Sequence, residues 1–424
     1  MKKINYSLLI SWLVLLIGCS GIWFRNVYTP PIDPDEVAWV LDARFYNFRQ
    51  QKQWDKFILV SNPISLGWSH DQYRLVDQPQ LGKYIYGFVL NIFKQDPWDP
   101  VQTKFLYQQF AKRAINSDDL KGDQTYSEMV RAVNLLRALG SIAGFMGIAI
   151  FGLGVSFLTK DRLVGGLTSI LLFSHPTLFY WYRLAVPNSF QITLIVVALI
   201  IMFILLNKVK NLTPKISLGW FLSGVLVASA SSIKLNGFLL IAAPIVIWLV
   251  QELLQVIFNN ELLKHILNQS KAYFFFIVGF VTTFFFWEVE LWKKPLVGIG
   301  LLFGSRLSQH YRFLAYYENY SIFETIQFLL VQFLKLSDLL AVKILIGLFL
   351  AWGMIKIISM RAERYWSNLL LLIFFVVIAN TYYANVGFDR YAEWSIYVFS
   401  FVSAFGAVDF SKTIYHKTRQ LCQK

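Results

Sequence analysis

The sequence predicts an all-α polytopic membrane protein, and three observations lead there. Of its 424 residues, 56% are hydrophobic and only 15% charged, too apolar a balance for an ordinary soluble enzyme. Apolar runs able to cross a bilayer recur along the chain between polar connections. Lys and Arg gather in alternate connections, as membrane topology places them. The formal charge of +14 is therefore read as orientation in a membrane, and the dispersed basic residues argue against nucleic acid as a partner.

The first apolar segment, 6–23, has about 18 residues, enough to span. It carries a competing signal. Lys2 and Lys3, followed by an apolar run ending L-I-G-C at 16–19, match a bacterial lipoprotein signal in which Cys19 is acylated and the preceding segment removed. An uncleaved first helix within residues 1–24 is the expectation, since a polytopic chain needs no lipid to stay in the membrane. Cys19 and Cys422 then fall on opposite sides, and no structural disulfide is expected.

Residues 25–131 form a long outward loop with no run able to span, yet they hold about half of the 25 acidic residues. Inside it, Val37, Val40, Leu41, Phe45 and Phe48 fall on one helical side, and Asp42, Arg44, Asn47 and Arg49 on the other. That period predicts short helices on the membrane surface, with Trp39, Trp54 and Trp68 as candidate interfacial anchors, plain packing being an equal reading of each one. Residues 132–290 carry the spans 135–157, 163–178, 190–206, 216–233, 237–250 and 273–287. Residues 291–338 make a second outer segment, and 339–410 carry the spans 339–355, 369–383 and 394–410. A basic tail, 411–424, follows. With the first helix this gives about ten spans of the usual ~17 to 25 residues, several of them short.

Lys2, Lys3, Lys160, Arg162, Lys208, Lys210, Lys215, Lys356, Arg361, Arg364 and the tail all fall on one side of this arrangement. That side is expected to be cytoplasmic, with both termini there and the acidic loop outside. Lys293 and Lys294 fall outside against the pattern.

Acidic side chains near a membrane are costly, so a cluster of them pairs, binds a cation or moves protons. The cluster here opens with D-P-D-E at 33–36 and closes with D-Q-P-Q-L-G-K at 77–83. A carboxylate in such a loop is the ordinary general base for taking a proton from an attacking hydroxyl or amine. The bland reading is that these acids cap short helices or solvate the loop, and for Asp42, Asp55, Asp96, Asp99, Asp118, Asp119 and Asp123 nothing more is expected.

From Asp35 onward the chain resembles a known family. D-E-V-A-W-V-L-D-A-R-F-Y at 35–46 resembles the Asp-Glu motif in the first outer loop of lipid-carrier-dependent glycosyltransferases, the group of protein O-mannosyltransferases and bacterial aminoarabinose transferases (glycosyltransferase family 39-like). D-Q-P-Q-L-G-K resembles their D-x-H-P-P-L-G-K segment, with Gln78 and Gln80 in place of His and Pro. R-A-L-G-S-I-A-G at 137–144 resembles the arginine that opens the second span, Arg131 being the alternative. H-P-T-L-F-Y-W-Y-R-L-A-V-P-N-S at 175–189 resembles a P-x(6)-R-x(4)-D-S pattern, with Asn188 standing where the family has Asp. S-I-K-L-N-G at 232–237 matches a K-x-x-G element, and F-D-R-Y at 388–391 resembles a late Arg-Tyr before the last span.

The resemblance implies the GT-C fold and transfer of one sugar, with inversion, from a polyprenyl-phosphate donor to a protein, lipid or glycan acceptor outside the cytoplasm. It implies Asp35 as general base, with Glu36 and Asp77 orienting the site, acceptor or a cation; the neighbouring Asp33 stays open as the base. Lys83, Arg137, Arg183, Lys234 and Arg390 would neutralise the departing lipid phosphate. Taken one at a time, Arg137, Arg183, Lys234 and Arg390 could equally be snorkelling to the interface, and Lys83 could instead pair with Asp77. His310, in S-Q-H-Y-R at 308–312, is a candidate ligand for a divalent metal with Glu36 or Asp77, although a lone loop histidine needs further ligands to hold one. No other cofactor is implied. The segment 291–336 is too short for the soluble insertion of eukaryotic protein mannosyltransferases, which favours a bacterial plasma-membrane enzyme. The rival readings are a transporter or flippase for lipid-linked sugars, and a polysaccharide polymerase or ligase; the concentration of charge in an outer loop argues against the first.

Cysteines introduced at Asn62 and Ser308 should react with an impermeant thiol reagent from outside the cell, and one at Asn211 should not. Labelling at Asn211 with protection at Asn62 would invert the topology.

Overall fold

The computed structural model describes residues 6–24, 32–59, 71–95, 124–208, 213–256, 262–304, 320–384 and 389–422. Among them there is no strand. The helices run α1 (Tyr6–Trp23), α2 (Pro34–Asp42), α3 (Arg44–Gln50), α4 (Asp71–Asp77), α5 (Gln80–Ile92), α6 (Gln124–Thr159), α7 (Arg162–Phe173), α8 (Pro176–Trp181) and α9 (Asn188–Leu206). They continue as α10 (Pro214–Ser231), α11 (Ala242–Val256), α12 (Leu262–Trp287), α13 (Pro295–Gly304), α14 (Ile322–Leu334), α15 (Leu340–Ser359), α16 (Arg364–Ala384) and α17 (Glu393–Cys422).

Their starts are written locally. Asp161 caps α7 by accepting from Leu163 N–H, and Thr213 caps α10 ahead of a proline in its first turn. Ser321 and Glu324 close a reciprocal capping box on α14. Six described helices, α6, α9, α12, α15, α16 and α17, are long and apolar enough to cross a membrane. The other four segments expected to span also appear as helices, α1, α7, α10 and α11, of 18, 12, 18 and 15 residues.

The bundle is tightened where helices meet backbone to backbone. Gly224 and Gly279 let α10 and α12 approach, each lying against a carbonyl of the other helix, and Gly353 and Gly406 do the same for α15 and α17. In a membrane, where burying apolar surface gains little, such close packing supplies much of the association energy.

Hydrogen bonds tie the helices at both ends. At one end Trp23 Nε1 donates to the Ser141 carbonyl (2.9 Å), and Leu81 N–H to the Ser232 carbonyl (2.8 Å). At the other, Lys412 pairs with Asp161, Tyr365 bonds the Leu158 carbonyl, and Asn368 donates to Asn207 (3.0 Å). The basic residues Lys160, Arg162, Lys208, Arg361 and Arg364 cluster at this second end, and the acidic loop docks at the first.

The described parts of the loop pack against the protein. Val37, Trp39, Val40, Tyr86 and Leu90 form one apolar core with Met129, Val133 and Leu136 of α6 and with Leu184 and Val186. Trp39, a candidate interfacial anchor, is 5% exposed, edge-on to Tyr86; Trp54 is 40% exposed, and Trp68 lies outside the described residues. Asp42, expected on a solvated face, is fully buried and accepts both hydrogen bonds of a fork from Arg74 (2.8 and 2.5 Å). The helical period was real, but a protein surface rather than a lipid surface covers its apolar side.

Beneath this loop lies a buried polar network. Gln80 N–H reaches the Glu288 carboxylate (3.2 Å), Gln80 Nε2 donates to the Leu75 carbonyl (2.9 Å), and Lys83 Nζ donates to the Arg74 carbonyl (2.6 Å). Burial pulls the Lys83 ammonium down to about 8, against the pull of Asp42. Burial, and then the neighbouring Glu290, push the Glu288 carboxyl well above the usual glutamate range; burial also raises Glu290. A carboxyl whose folded pKa is raised binds more protons folded than unfolded, so its contribution to stability falls as pH climbs above 4.5. Glu288→Gln, which keeps an acceptor for Gln80 N–H, should raise the melting temperature at mildly alkaline pH. The gain should shrink as pH falls toward 4.5. A difference that does not change with pH would show that Glu288 is buried at no ionisation cost.

Candidate functional site

The site is built on the first turn of α2. Asp33 Oδ1 accepts from Asp35 N–H (2.8 Å), Glu36 Oε2 accepts from Asp33 N–H (2.8 Å), and Pro34 occupies the first helical position. This reciprocal box fixes where the helix begins. Glu36 does more. Its Oε1 also accepts from Arg137 Nε (2.7 Å) and Ala185 N–H (2.6 Å), and its Oε2 from Arg137 Nη2 (2.6 Å). Four donors therefore fill the acceptor capacity of one carboxylate. Glu36 is 0% exposed and Arg137 1%. The pair joins the loop helix, α6 and the connection before α9.

Asp35 is the next residue along and faces elsewhere. Its side chain is 46% exposed, and Oδ2 accepts from Arg390 Nη1 (2.7 Å). Arg390 stands in the 3₁₀ turn Asp389–Ala392 that leads into α17. That turn is pinned from α16: Asn380 Nδ2 donates to the Tyr391 carbonyl, while Asn380 Oδ1 accepts from Ser395 N–H (2.8 Å) and Oγ (2.7 Å). The Arg390 guanidinium lies 5.4 Å from the Trp181 ring and 5.2 Å from the Tyr391 ring.

Lys234, just past α10, approaches the same tyrosine, its Nζ 5.6 Å from the ring centre. It donates to Asn188 Oδ1 (2.8 Å), and Asn188 Nδ2 donates to Glu393 Oε1 (3.1 Å). Gln191 Nε2 holds the Lys234 carbonyl (2.8 Å), which sets the turn that carries the lysine. Asp35, Arg390, Tyr391 and Lys234, with the buried Asn188 and Glu393 behind them, thus form one connected polar group at the loop end of the bundle.

The other expected site residues sit differently. Arg183 packs on the Phe179 ring (3.2 Å) and donates to the Trp23 carbonyl (3.3 Å). Arg137 and Lys83, expected on a phosphate, are closed inside the protein on Glu36 and on the Arg74 carbonyl. Asp33 is committed to its cap, and burial raises its carboxyl above the usual range, with the Asp35 N–H acting the other way. Asp77 ends α4, its side chain outside the described residues, as is all of His310. Among the described residues no three metal-ligating side chains gather. Glu393 was not anticipated; an acid heading an apolar span was the signal available for it.

Neither a family model nor a curated protein matches the chain. Two solved structures of the oligosaccharyltransferase of Archaeoglobus fulgidus are similar to it. One is AglB in complex with an inhibitory peptide and a dolichol-phosphate, with a TM-score of 0.57 and 13% identity, covering 97% of this chain and 52% of that one. The other is the apo form, with a TM-score of 0.55 and 12% identity, covering 99% and 52%. The chain spans about half the length of these proteins. At such identity the likeness is one of fold, and the fold is GT-C: membrane helices with a long first loop docked at one end.

Proposed function

We propose that the protein is an integral membrane glycosyltransferase that moves a single sugar from a polyprenyl-phosphate donor to an acceptor outside the cytoplasm. The observation that carries this is a half-exposed carboxylate, Asp35, paired with Arg390 beside Lys234, at the end of a GT-C bundle opposite its basic connections. A site opposite the basic end faces away from the cytoplasm under the positive-inside rule. The dolichol-phosphate held by a solved neighbour of this fold supports a lipid-phosphate donor here. We assign the site to the outer face of a bacterial plasma membrane, with both termini cytoplasmic.

In this reading the acceptor hydroxyl or amine attacks the anomeric carbon from the face opposite the phosphate and gives its proton to Asp35. The bond from that carbon to the phosphate oxygen breaks, and its electrons leave on the lipid phosphate. Arg390 and Lys234 meet that charge. Donor phosphate competes with Asp35 for Arg390, so donor binding frees the carboxylate to act as a base. Glu36, Arg137, Lys83 and Arg183 hold this surface from behind, and Asp77 orients it.

Asp35→Asn preserves shape and removes the proton acceptor. It should leave membrane insertion near normal and donor binding no weaker, since a competitor for Arg390 is removed, and cut turnover by roughly two to four orders of magnitude. Asp77→Asn should be milder. Arg390→Gln should weaken donor binding instead, because a charge-assisted contact is lost. Full turnover in Asp35→Asn would move the base to Asp33 or Asp77.

A further inference from the structure

The three-residue chain Lys234–Asn188–Glu393 has forced polarity. Lysine can only donate and a carboxylate can only accept, so the buried amide between them must turn Oδ1 toward Lys234 and Nδ2 toward Glu393. Glu393 is 6% exposed and Asn188 4%. Glu393 is also the first residue of α17, where the helix dipole favours a negative charge. The amide therefore grips the ammonium without adding a charge to it. A carboxylate at position 188 would sit 2.8 Å from that ammonium and 3.1 Å from another carboxylate.

A second observation points the same way. The ammonium of Lys234 and the guanidinium of Arg390 both lie within 6 Å of one ring, that of Tyr391. Arg390 is already met by Asp35, and a phosphate that reaches it beside the Tyr391 ring comes within range of a second cation, Lys234.

We propose that Lys234, Arg390 and Tyr391 form an anion subsite for the lipid phosphate, a phosphodiester in the donor and a phosphomonoester in the product, in which Asn188 determines the charge of the subsite and Glu393 is a positioning residue that locks the amide. The inference rests on the lipid-phosphate reading above and adds to it that an amide, not an acid, is required at 188. An acid there competes with the incoming phosphate for Lys234.

The test is equilibrium binding of farnesyl phosphate to the full chain in nanodiscs. Asn188→Asp, nearly isosteric, should weaken binding about tenfold, as should Glu393→Leu, which removes the acceptor that orients the amide. Glu393→Gln retains an acceptor oxygen and should stay within about threefold of the unaltered protein. Unchanged affinity in Asn188→Asp, or equal losses in Glu393→Gln and Glu393→Leu, would overturn the proposal. Should Asn188→Asp fail to fold, the Glu393 pair decides alone. If the unaltered protein does not bind farnesyl phosphate, the lipid-phosphate reading falls and takes the subsite with it; binding by the unaltered protein without the predicted order of variants removes only the subsite.

Discussion

The site depends on the buried pair of Glu36 and Arg137, residues 101 apart in sequence. Two charges taken out of water repay their desolvation only when geometry and hydrogen bonding are complete. Here they are: the carboxylate accepts four N–H bonds, one from a capping partner, one from the chain before α9 and two from the guanidinium. Removing one partner of such a pair typically costs on the order of 3–5 kcal/mol, because the other charge stays buried and alone. The pair thereby ties a loop helix of nine residues to the membrane bundle.

Two adjacent acids consequently have opposite roles. Successive side chains on a helix point about 100° apart. When Glu36 is driven into the protein, Asp35 is turned outward, toward Arg390 in the turn before α17. The first and last parts of the chain meet there, across 355 residues. Asn380 and Glu393, on the last two helices, then fix the turn and the amide on which Lys234 rests. The candidate site is an edge where the loop, the middle spans and the final span converge, each held by a polar group buried at the end of a helix.

The helical bundle was legible because apolar length and the distribution of Lys and Arg report membrane helices without knowledge of any contact. Motif order also singled out Asp35, Glu36, Lys234 and Arg390, which the fold brings to one end of the bundle. Partnership was not legible. Arg137 could be singled out, but that it belongs to Glu36 rather than to a phosphate depends on how the loop docks. Trp39 stays open between lipid and protein, and Asp42 is expected on a solvated face, for one reason: an amphipathic period says that one side is covered and not whether lipid or protein covers it. Asp42 and Glu288 find partners 32 and 208 residues away, which no local pattern encodes. Asn188 stood out only as a departure from a pattern, and its geometry gives it a role of its own.

We propose that this surface breaks the bond between a sugar and a lipid phosphate. The direct measurement is to reconstitute the purified protein in liposomes with a polyprenyl phosphate carrying a radiolabelled sugar, and to add envelope extract as the source of acceptors. The account predicts loss of labelled donor, release of free polyprenyl phosphate and transfer of label to an acceptor outside. Donor that crosses the bilayer with its sugar still attached would contradict it and make the protein a carrier of lipid-linked sugar.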